Sequence, residues 1–520
     1  MRRPRAARRL VLAAVVVIAG LVLGFVLVRL AGGGQSGLAS LAGAERLSAA
    51  EVTAFDPLAY GEVSEDELLR RGRDGLSHVL YEKSPGGVAQ SAARVEGLRA
   101  GIDAAAERHD VEADTLAALV FLESAGRPDA IAGPTPDSAA GLGQILPGTA
   151  TSLLGMDVDL ERSKRLTRRI EREARRAARA TTARHRRAAT ARAGRLVTER
   201  RRVDARFDPP RALDGAARYL QIAQERFGRE DLAATSYHMG IGNLESVIGD
   251  YVAPRPAGTT TRDTVEEFEL SYARLFFDSS PLRNPRTHRR LAALGDDSRT
   301  YLFRLEGARE ILRLHDEDRD ELRRLAALHG AKASTEEVLR PPADNEPYEE
   351  ADDLRDAYDD ERLVALPDAP ARLGFRIDTR MGELAPRLDE QATLYRGLSP
   401  EALSTLLYIA KETRRIAGAR GDLRVTSTVR DLAYQRLLVA SNAEATQRFS
   451  LHTTGHALDI ERDFSSRRQE RALTHVLERL RALSVIDWVY EPQAIHLTVG
   501  ADGERYLPLY ATLVAGRESS

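Results

Sequence analysis

Cysteine is absent from all 520 residues. Disulfides and thiolate metal sites are therefore excluded, and any metal must be held by His, Asp or Glu. A net charge of one sign is missing too: 76 Lys and Arg stand against 78 Asp and Glu, leaving -2 at pH 7 with His neutral. No argument for a charged partner follows from the whole chain, so charge has to be read segment by segment. No internal repeat stands out, and strand signals are scarce before roughly the last hundred residues. What is present is a 43% hydrophobic and 30% charged composition, the balance of soluble globular units, and a length that predicts about three of them.

Long apolar runs are confined to one place. Leu10 to Val28 is an unbroken stretch of apolar residues and glycines behind Arg2, Arg3, Arg5, Arg8 and Arg9. It is long enough to cross a bilayer core, and the positive-inside rule predicts a cytoplasmic N-terminus with everything after Arg29 outside. A cleaved signal peptide is the alternative, with Ala39 and Ser40 as small residues for cleavage. The run is longer than the about 7 to 15 residues of a signal core, which favours an uncleaved anchor. Residues 1–31 are thus an anchor or signal segment. Residues 32–90 are a spacer and N-terminal extension, glycine-rich from Gly32 to Gly43.

From Ser91 to Leu122 the apolar residues recur at helical spacing, with Val95, Leu98, Ile102 and Ala105 on one face and Leu116, Leu119 and Val120 on a second helix that ends at Glu123. Ala212 to Phe227 and Asp231 to Met239 continue in the same manner, so 91–340 reads as an all-α domain. Inside it, 161–206 holds 18 basic residues against five acidic and few large apolar ones. This composition cannot build a core and predicts a solvated helical insertion, with contact to an anionic polymer, lipid headgroups or a protein as the functional alternative. Residues 341–364, rich in Pro, Asp and Glu, read as an acidic linker. After it, helices from Pro400 to Ala417, from Asp431, and from Ser465 to Leu483 alternate with strands at Leu423 to Thr428, His456 to Ile460, Val485 to Tyr490 and Ile495 to Val499. This mixed order predicts a small α+β domain over 365–520.

Two places carry chemistry. Glu123 is a lone carboxylate at the end of an apolar helix, about 20 residues before the glycine-rich turn that starts at Gly141, and burial of such a group raises its pKa and keeps a proton available near neutral pH. Glu123-Ser124, Gly141-Leu-Gly-Gln-Ile-Leu-Pro147 and Tyr237-His-Met-Gly-Ile-Gly-Asn243 follow in an order that resembles the Slt-type lytic transglycosylases, over roughly 97–249. The resemblance implies a lysozyme-like helical fold and non-hydrolytic cleavage of the MurNAc-GlcNAc bond of peptidoglycan, ending in 1,6-anhydroMurNAc. It assigns Glu123 as acid and then base, with Ser124, Gln144, Tyr237 and Asn243 as substrate-binding residues. Gln144 would donate to the sugar and Tyr237 would buttress Glu123. The family's Met before Gln144 is Gly143 here, and its Asn after the motif tyrosine is His238. Asp129 and Asp137 are the nearest candidates for the second carboxylate of a hydrolytic muramidase, the alternative activity. A wall-binding scaffold without catalysis is the alternative of a different class.

The second place is Ser450-Leu-His-Thr-Thr-Gly-His-Ala-Leu-Asp459 with His496 further on. Two imidazoles and one carboxylate make a zinc triad that leaves a coordination position for water. The pattern resembles the D-Ala-D-Ala carboxypeptidase and dipeptidase group of zinc peptidases over about 405–499. That resemblance implies zinc held by His452, Asp459 and His496, polarisation of the scissile carbonyl by Arg430, and a base at Glu491, although the base usually stands closer to the last histidine. It leaves His456 as a structural histidine. The transglycosylase site needs no cofactor.

The expectation is a multidomain protein of the cell envelope: a membrane helix, an all-α lysozyme-like domain and a C-terminal α+β zinc-peptidase-like domain. Its partners are glycan strands and stem peptides, with the inner membrane through residues 10–28 and an anionic partner for 161–206.

Overall fold

The computed structural model describes residues 44–515 apart from 45, 255–257, 333, 419–420 and 442–448. The apolar run Leu10 to Val28 and the glycine-rich spacer lie outside the described residues. Among those described, no helix is long and apolar enough to cross a membrane.

Two compact units are present. Among the described residues, one comprises 56–341 with 478–487; the other comprises 342–477 with 488–515, together with those from 44 to 55. The first is helical. Its centre is α2 (Ala113–Ser124), preceded by α1 (Arg99–His109). Thr115 to Phe121 are all buried, so α2 is apolar around its whole circumference and has to be wrapped by other helices. It is wrapped by α1, by α5 (Pro209–Phe227) and by α8 (Tyr301–Glu317). Between α5 and α8 come α6 (Glu230–Met239) and α7 (Ile241–Tyr251). The boundaries follow local chemistry: α5 opens on Pro209-Pro210, where missing N–H groups cost nothing, and closes at Gly228 with φ of 75°.

The basic insertion is an antiparallel hairpin of α3 (Leu160–Ala178) and α4 (Ala183–Val203). Its ends are capped by Asp159 and Thr182, whose side chains accept from the Arg162 and His185 amides. Leu166, Ala189 and Leu196 fill its seam, and buried Glu173 accepts a 2.8 Å bond from Arg192.

The second unit carries a five-stranded sheet of order β2-β4-β5-β7-β6 and a two-stranded antiparallel pair, β1 (Val364–Ala365) with β3 (Gly397–Leu398). The large sheet comprises β2 (Phe375–Ile377), β4 (Leu423–Ser427), β5 (Ala457–Glu461), β6 (Ile486–Tyr490) and β7 (Ala494–Val499). It is mixed, since β2 runs parallel to β4 while β4, β5 and β7 alternate. Its helices are α9 (Ala351–Asp359), α10 (Pro400–Ala417), α11 (Leu432–Ser441) and α12 (Arg467–Ala482).

Three expectations about boundaries need correction. The segment 341–364 is not a linker: it holds α9, and Tyr348, Leu354, Ala357 and Leu363 pack into a core cluster with Tyr395, Val429 and Tyr434. Acidic residues fill its exposed positions, and four well-spaced apolar ones suffice to fold it against a neighbour. The helical unit starts at Asp56 rather than 91, and it takes residues 478–487 from the stretch assigned to the α+β domain.

Candidate active sites

Helix α2 stops one residue after Glu123 because Ala125 and Gly126 both turn to positive φ, 52° and 71°. A Cβ on Gly126 would lie 2.9 Å from the Arg94 side chain, so the turn there is close-packed. The turn leaves the Glu123 side chain partly exposed between two cavities, one of about 650 Å3 and one of about 320 Å3. The larger is lined by Gln144, Leu146, Tyr219, Tyr237 and His238, with Glu123 as its sole carboxylate among the described residues. The smaller adds Lys83, Asp297, Tyr301 and Arg304.

Burial drives the Glu123 carboxyl up to about 7, against the opposing pull of a hydrogen bond from Tyr301 and the charge of Arg304. The Tyr301 hydroxyl donates to Glu123 Oε1 at 2.7 Å. Tyr301 is in turn stacked on His238, with ring centroids 5.2 Å apart, and His238 Nδ1 lies 3.1 Å from Ser298 Oγ. Burial also lowers the His238 pKa, which favours the neutral ring.

The glycine-rich turn is held from two sides. The Tyr237 hydroxyl donates to the Gly143 carbonyl at 2.7 Å, and a Cβ at Gly143 would sit 2.6 Å from that hydroxyl. From below, Arg206 donates to the carbonyls of Ser138 and Ile145 at 3.2 Å and of Pro136 at 2.9 Å, while forming a fully buried ion pair with Asp204 at 2.8 Å. Gly141, at φ of 80°, has no room for a side chain, since a Cβ would fall 1.7 Å from the Arg206 carbonyl oxygen. Gln144 itself is at φ of 45°, and its amide nitrogen donates to Ala130 O at 3.2 Å and Gly141 O at 2.9 Å.

Glu123, Gln144 and Tyr237 therefore meet at one cavity, with altered roles. Tyr301 rather than Tyr237 holds the carboxyl, and Tyr237 braces the turn. The Gln144 amide hydrogens are spent on the loop, so its Oε1 is the atom offered to a ligand. Ser124 is 2% exposed and bonds to the Val120 carbonyl. Asn243 donates to Met239 O at 2.8 Å and lines neither cavity. Ser124 also lines the smaller cavity; its bond lies within α2, and that of Asn243 joins α7 to the end of α6. Asp129 and Asp137 face the hairpin, paired with Arg200 at 2.8 Å and Lys164 at 2.6 Å. Tyr301, Arg304 and the Arg206–Asp204 pair were missed because no local pattern ties them to the motifs; Tyr301 is 178 positions from Glu123.

The other unit brings His452, Asp459 and His496 together, with ligand-capable atoms all within 4.8 Å of one another. Asp459 and His496 are register partners on β5 and β7. His452 sits on a short turn that ends at Gly455, where a Cβ would strike Leu363 at 2.6 Å. The main-chain carbonyl of Thr428 lies 2.7 Å from His452 Nδ1 and can only accept, which puts the proton on Nδ1 and leaves the Nε2 lone pair facing Asp459 at 3.2 Å. His496 Nδ1 is 2.9 Å from the same carboxylate oxygen. Burial would raise the Asp459 pKa, but the two imidazoles hold it well below the ordinary carboxylate range.

Arg430 closes the site. It reaches Asp459 at 3.4 Å and is steered by Ser427 at 2.7 Å and Gln435 at 2.8 Å. Glu491 stands at the turn between β6 and β7, its amide donating to Ala494 O at 2.9 Å; burial lowers the Arg430 pKa, against the opposing charges of Asp459 and, more weakly, Glu491. His456 pairs with Glu401 at 3.0 Å, outside the triad. The donor set, the fixed tautomer and the orienting carbonyl fit a divalent zinc ion.

No curated protein matches the chain. Residues 101–167 and 185–254 match the family model of the transglycosylase SLT domain, and the unmatched 168–184 are the outer part of the arginine-rich hairpin. The match is confined to the helical unit, and it covers the glycine-rich turn, Glu123 and Tyr237 together. That region of the chain is similar to a transglycosylase SLT domain, which supports lytic transglycosylase activity on peptidoglycan.

Proposed function

We propose that the helical unit cleaves peptidoglycan glycan strands without water, leaving 1,6-anhydroMurNAc ends, and that the second unit is a zinc peptidase acting on the peptide stems. The observation that carries the first part is the place of Glu123 in the larger cavity. Among the described residues it is the sole acid lining the larger cavity, and burial raises its pKa to about 7, so that it holds a proton near neutral pH. Protonated Glu123 donates to the glycosidic oxygen as the bond to the anomeric carbon breaks. As carboxylate it then takes the proton from the sugar's own C6 hydroxyl, whose oxygen bonds to that carbon. A hydrolase would more often use a second carboxylate within about 10 Å to handle water. Asp129 and Asp137 are committed to Arg200 and Lys164 instead, and Asp297, which lines the smaller cavity, pairs with Arg304 at 2.8 Å. Digesting purified sacculi and identifying the glycan ends by mass spectrometry tests this: reducing ends in place of anhydro ends would make the enzyme a muramidase.

In the second unit His452, Asp459 and His496 would hold zinc, which supplies an activated water and a Lewis acid for an amide carbonyl. Arg430 would bind the negative charge on a substrate carboxylate or carbonyl oxygen, a role that its contact with Asp459 supports, and Glu491 would take a proton. Elemental analysis of the full chain should give near one zinc per molecule, lost in His452→Ala; absence of metal in the wild type would remove the peptidase.

With residues 10–28 in the cytoplasmic membrane, both units lie on its outer side, and a shared tether raises each site's effective concentration at the same polymer.

A further inference from the structure

The hairpin carries a charge pattern that the glycan site does not use. On α3, Arg165, Arg168 and Arg172 are spaced three and four apart, and on α4, Arg184, Arg187 and Arg195 are spaced three and eight apart; all six are exposed. At about 100° per residue each set forms one row along its helix. The rows lie roughly opposite the seam residues Ser163, Leu166 and Thr167 of α3 and Ala189, Leu196 and Arg200 of α4. Since the seams face each other, the arginine rows occupy opposite edges of the hairpin. None of the six makes an ion pair with another described residue, whereas the acids of the hairpin are engaged: Glu173 with Arg176 and Arg192, Glu199 with Arg162.

The geometry points to the hairpin as a docking arm for an anionic polymer with phosphates repeated along its backbone. Charge selects the sign, and residue type selects the group. Cationic positions in 160–203 are Arg with the single exception of Lys164, and the planar guanidinium fork pairs with two phosphate oxygens at once. Two-edged placement selects a flexible chain over a flat membrane, because one plane cannot meet both edges. Among the described residues the exposed large hydrophobic ones, Leu146, Leu153, Phe268, Leu282 and Tyr490, all lie outside the hairpin, so it has no apolar edge to sink into lipid. Residues 160–203 also contain no Phe, Tyr or Trp on which nucleic-acid bases would stack.

At the hairpin's base, Arg200, Lys164 and Arg206 hold Asp129, Asp137 and the carbonyls around the glycine-rich turn. A polymer held along the hairpin is thereby anchored beside the catalytic cavity, with the outer part of the hairpin, 168–184, beyond the residues that the family model matches.

The test uses the full chain in neutral detergent with poly(glycerol phosphate) as probe. Phenylglyoxal modification read residue by residue by mass spectrometry should show both rows protected. Binding should weaken steeply with salt, and R165Q/R168Q/R172Q and R184Q/R187Q/R195Q should each lose about tenfold in affinity and lower the salt slope by about two. Protection of neither row, or of one row alone, would overturn the two-edged arm. So would protection by phosphatidylglycerol vesicles or by a mixed-sequence oligonucleotide in place of the polymer, in favour of a membrane or nucleic-acid surface. Should a variant lose helicity, the salt dependence of the wild type still decides: affinity that is flat in salt excludes the arm.

Discussion

The hydroxyl of Tyr301 donates a 2.7 Å hydrogen bond to Glu123 from a helix that lies beyond the matched family region. That bond favours the carboxylate, so it opposes the burial that raises the same group to about 7. Replacing Tyr301 with Phe removes the opposition. The alkaline limb of the pH–rate profile should move upward, by about one pH unit for a bond of about 1.5 kcal/mol to a charged group, while kcat falls because the carboxyl loses its orientation. A profile identical to wild type would show that Tyr301 does not govern the acid.

Glu123→Gln should reduce turnover at least about a hundredfold, the lower end of what a general acid supplies. It should also stabilise the fold in a pH-dependent way. Between the ordinary carboxyl range and about pH 7 the unfolded chain releases a proton that the folded chain keeps, so wild-type stability falls as pH rises through that window. The variant escapes this loss. Its unfolding free energy should exceed the wild type's by about 2 kcal/mol at pH 8 and match it near pH 4, read from denaturant melts at the two pH values.

Gly143→Met, which restores the residue usual in the resembled family, should impair this protein. A Cβ there meets the Tyr237 hydroxyl at 2.6 Å, so the tyrosine must leave the turn that it braces. Overpacking of this kind costs about 1 to 3 kcal/mol. Pairing it with Tyr237→Phe should recover part of that loss, since the hydroxyl is the atom struck, and a double-mutant cycle on thermal stability measures the coupling.

Arg206→Ala should destabilise the helical unit by about 3 to 5 kcal/mol, because Asp204 is left as a buried, unpaired charge and three loop carbonyls lose their donor. Removing both charges together with Asp204→Asn and Arg206→Met should cost less in stability yet still raise KM, since the glycine-rich turn is released in either case. Separate measurement of KM and melting temperature distinguishes these effects.

For the second unit, a strong chelator should lower the melting temperature of the wild type and leave His452→Ala unaffected, since an ion that binds only the folded chain stabilises it by mass action.

How far the residues alone revealed this arrangement depends on range. Glu123, Gln144 and Tyr237 sit in short motifs whose spacing a helix and a turn dictate, and the His452-to-Asp459 pattern crosses one glycine turn into a strand. Both were legible for that reason. The helix Pro400–Ala417 was also legible, from its proline start and apolar periodicity. Tyr301 and Arg206 were not, because their partners are set by tertiary packing. The stretch 341–364 misled because its acids outnumber its few apolar residues, and only contact with Tyr395 and Tyr434 shows those few to be core. β1, β2 and β3 were missed too: at two or three residues each they are too short to display alternation.

The return of residues 478–487 to the helical unit has a practical consequence for dissecting the protein. The Leu483 carbonyl accepts from the buried guanidinium of Arg71 at 3.2 Å, and the Asp487 carboxylate accepts from the Thr335 amide. A chain truncated at Pro341 would strip those acceptors from the part that remains, and the discarded half would carry 478–487 without the Arg71 and Thr335 donors that they bond to. The two activities should therefore be separated by point substitution within an intact polypeptide, because scissors at the obvious seam would damage both halves.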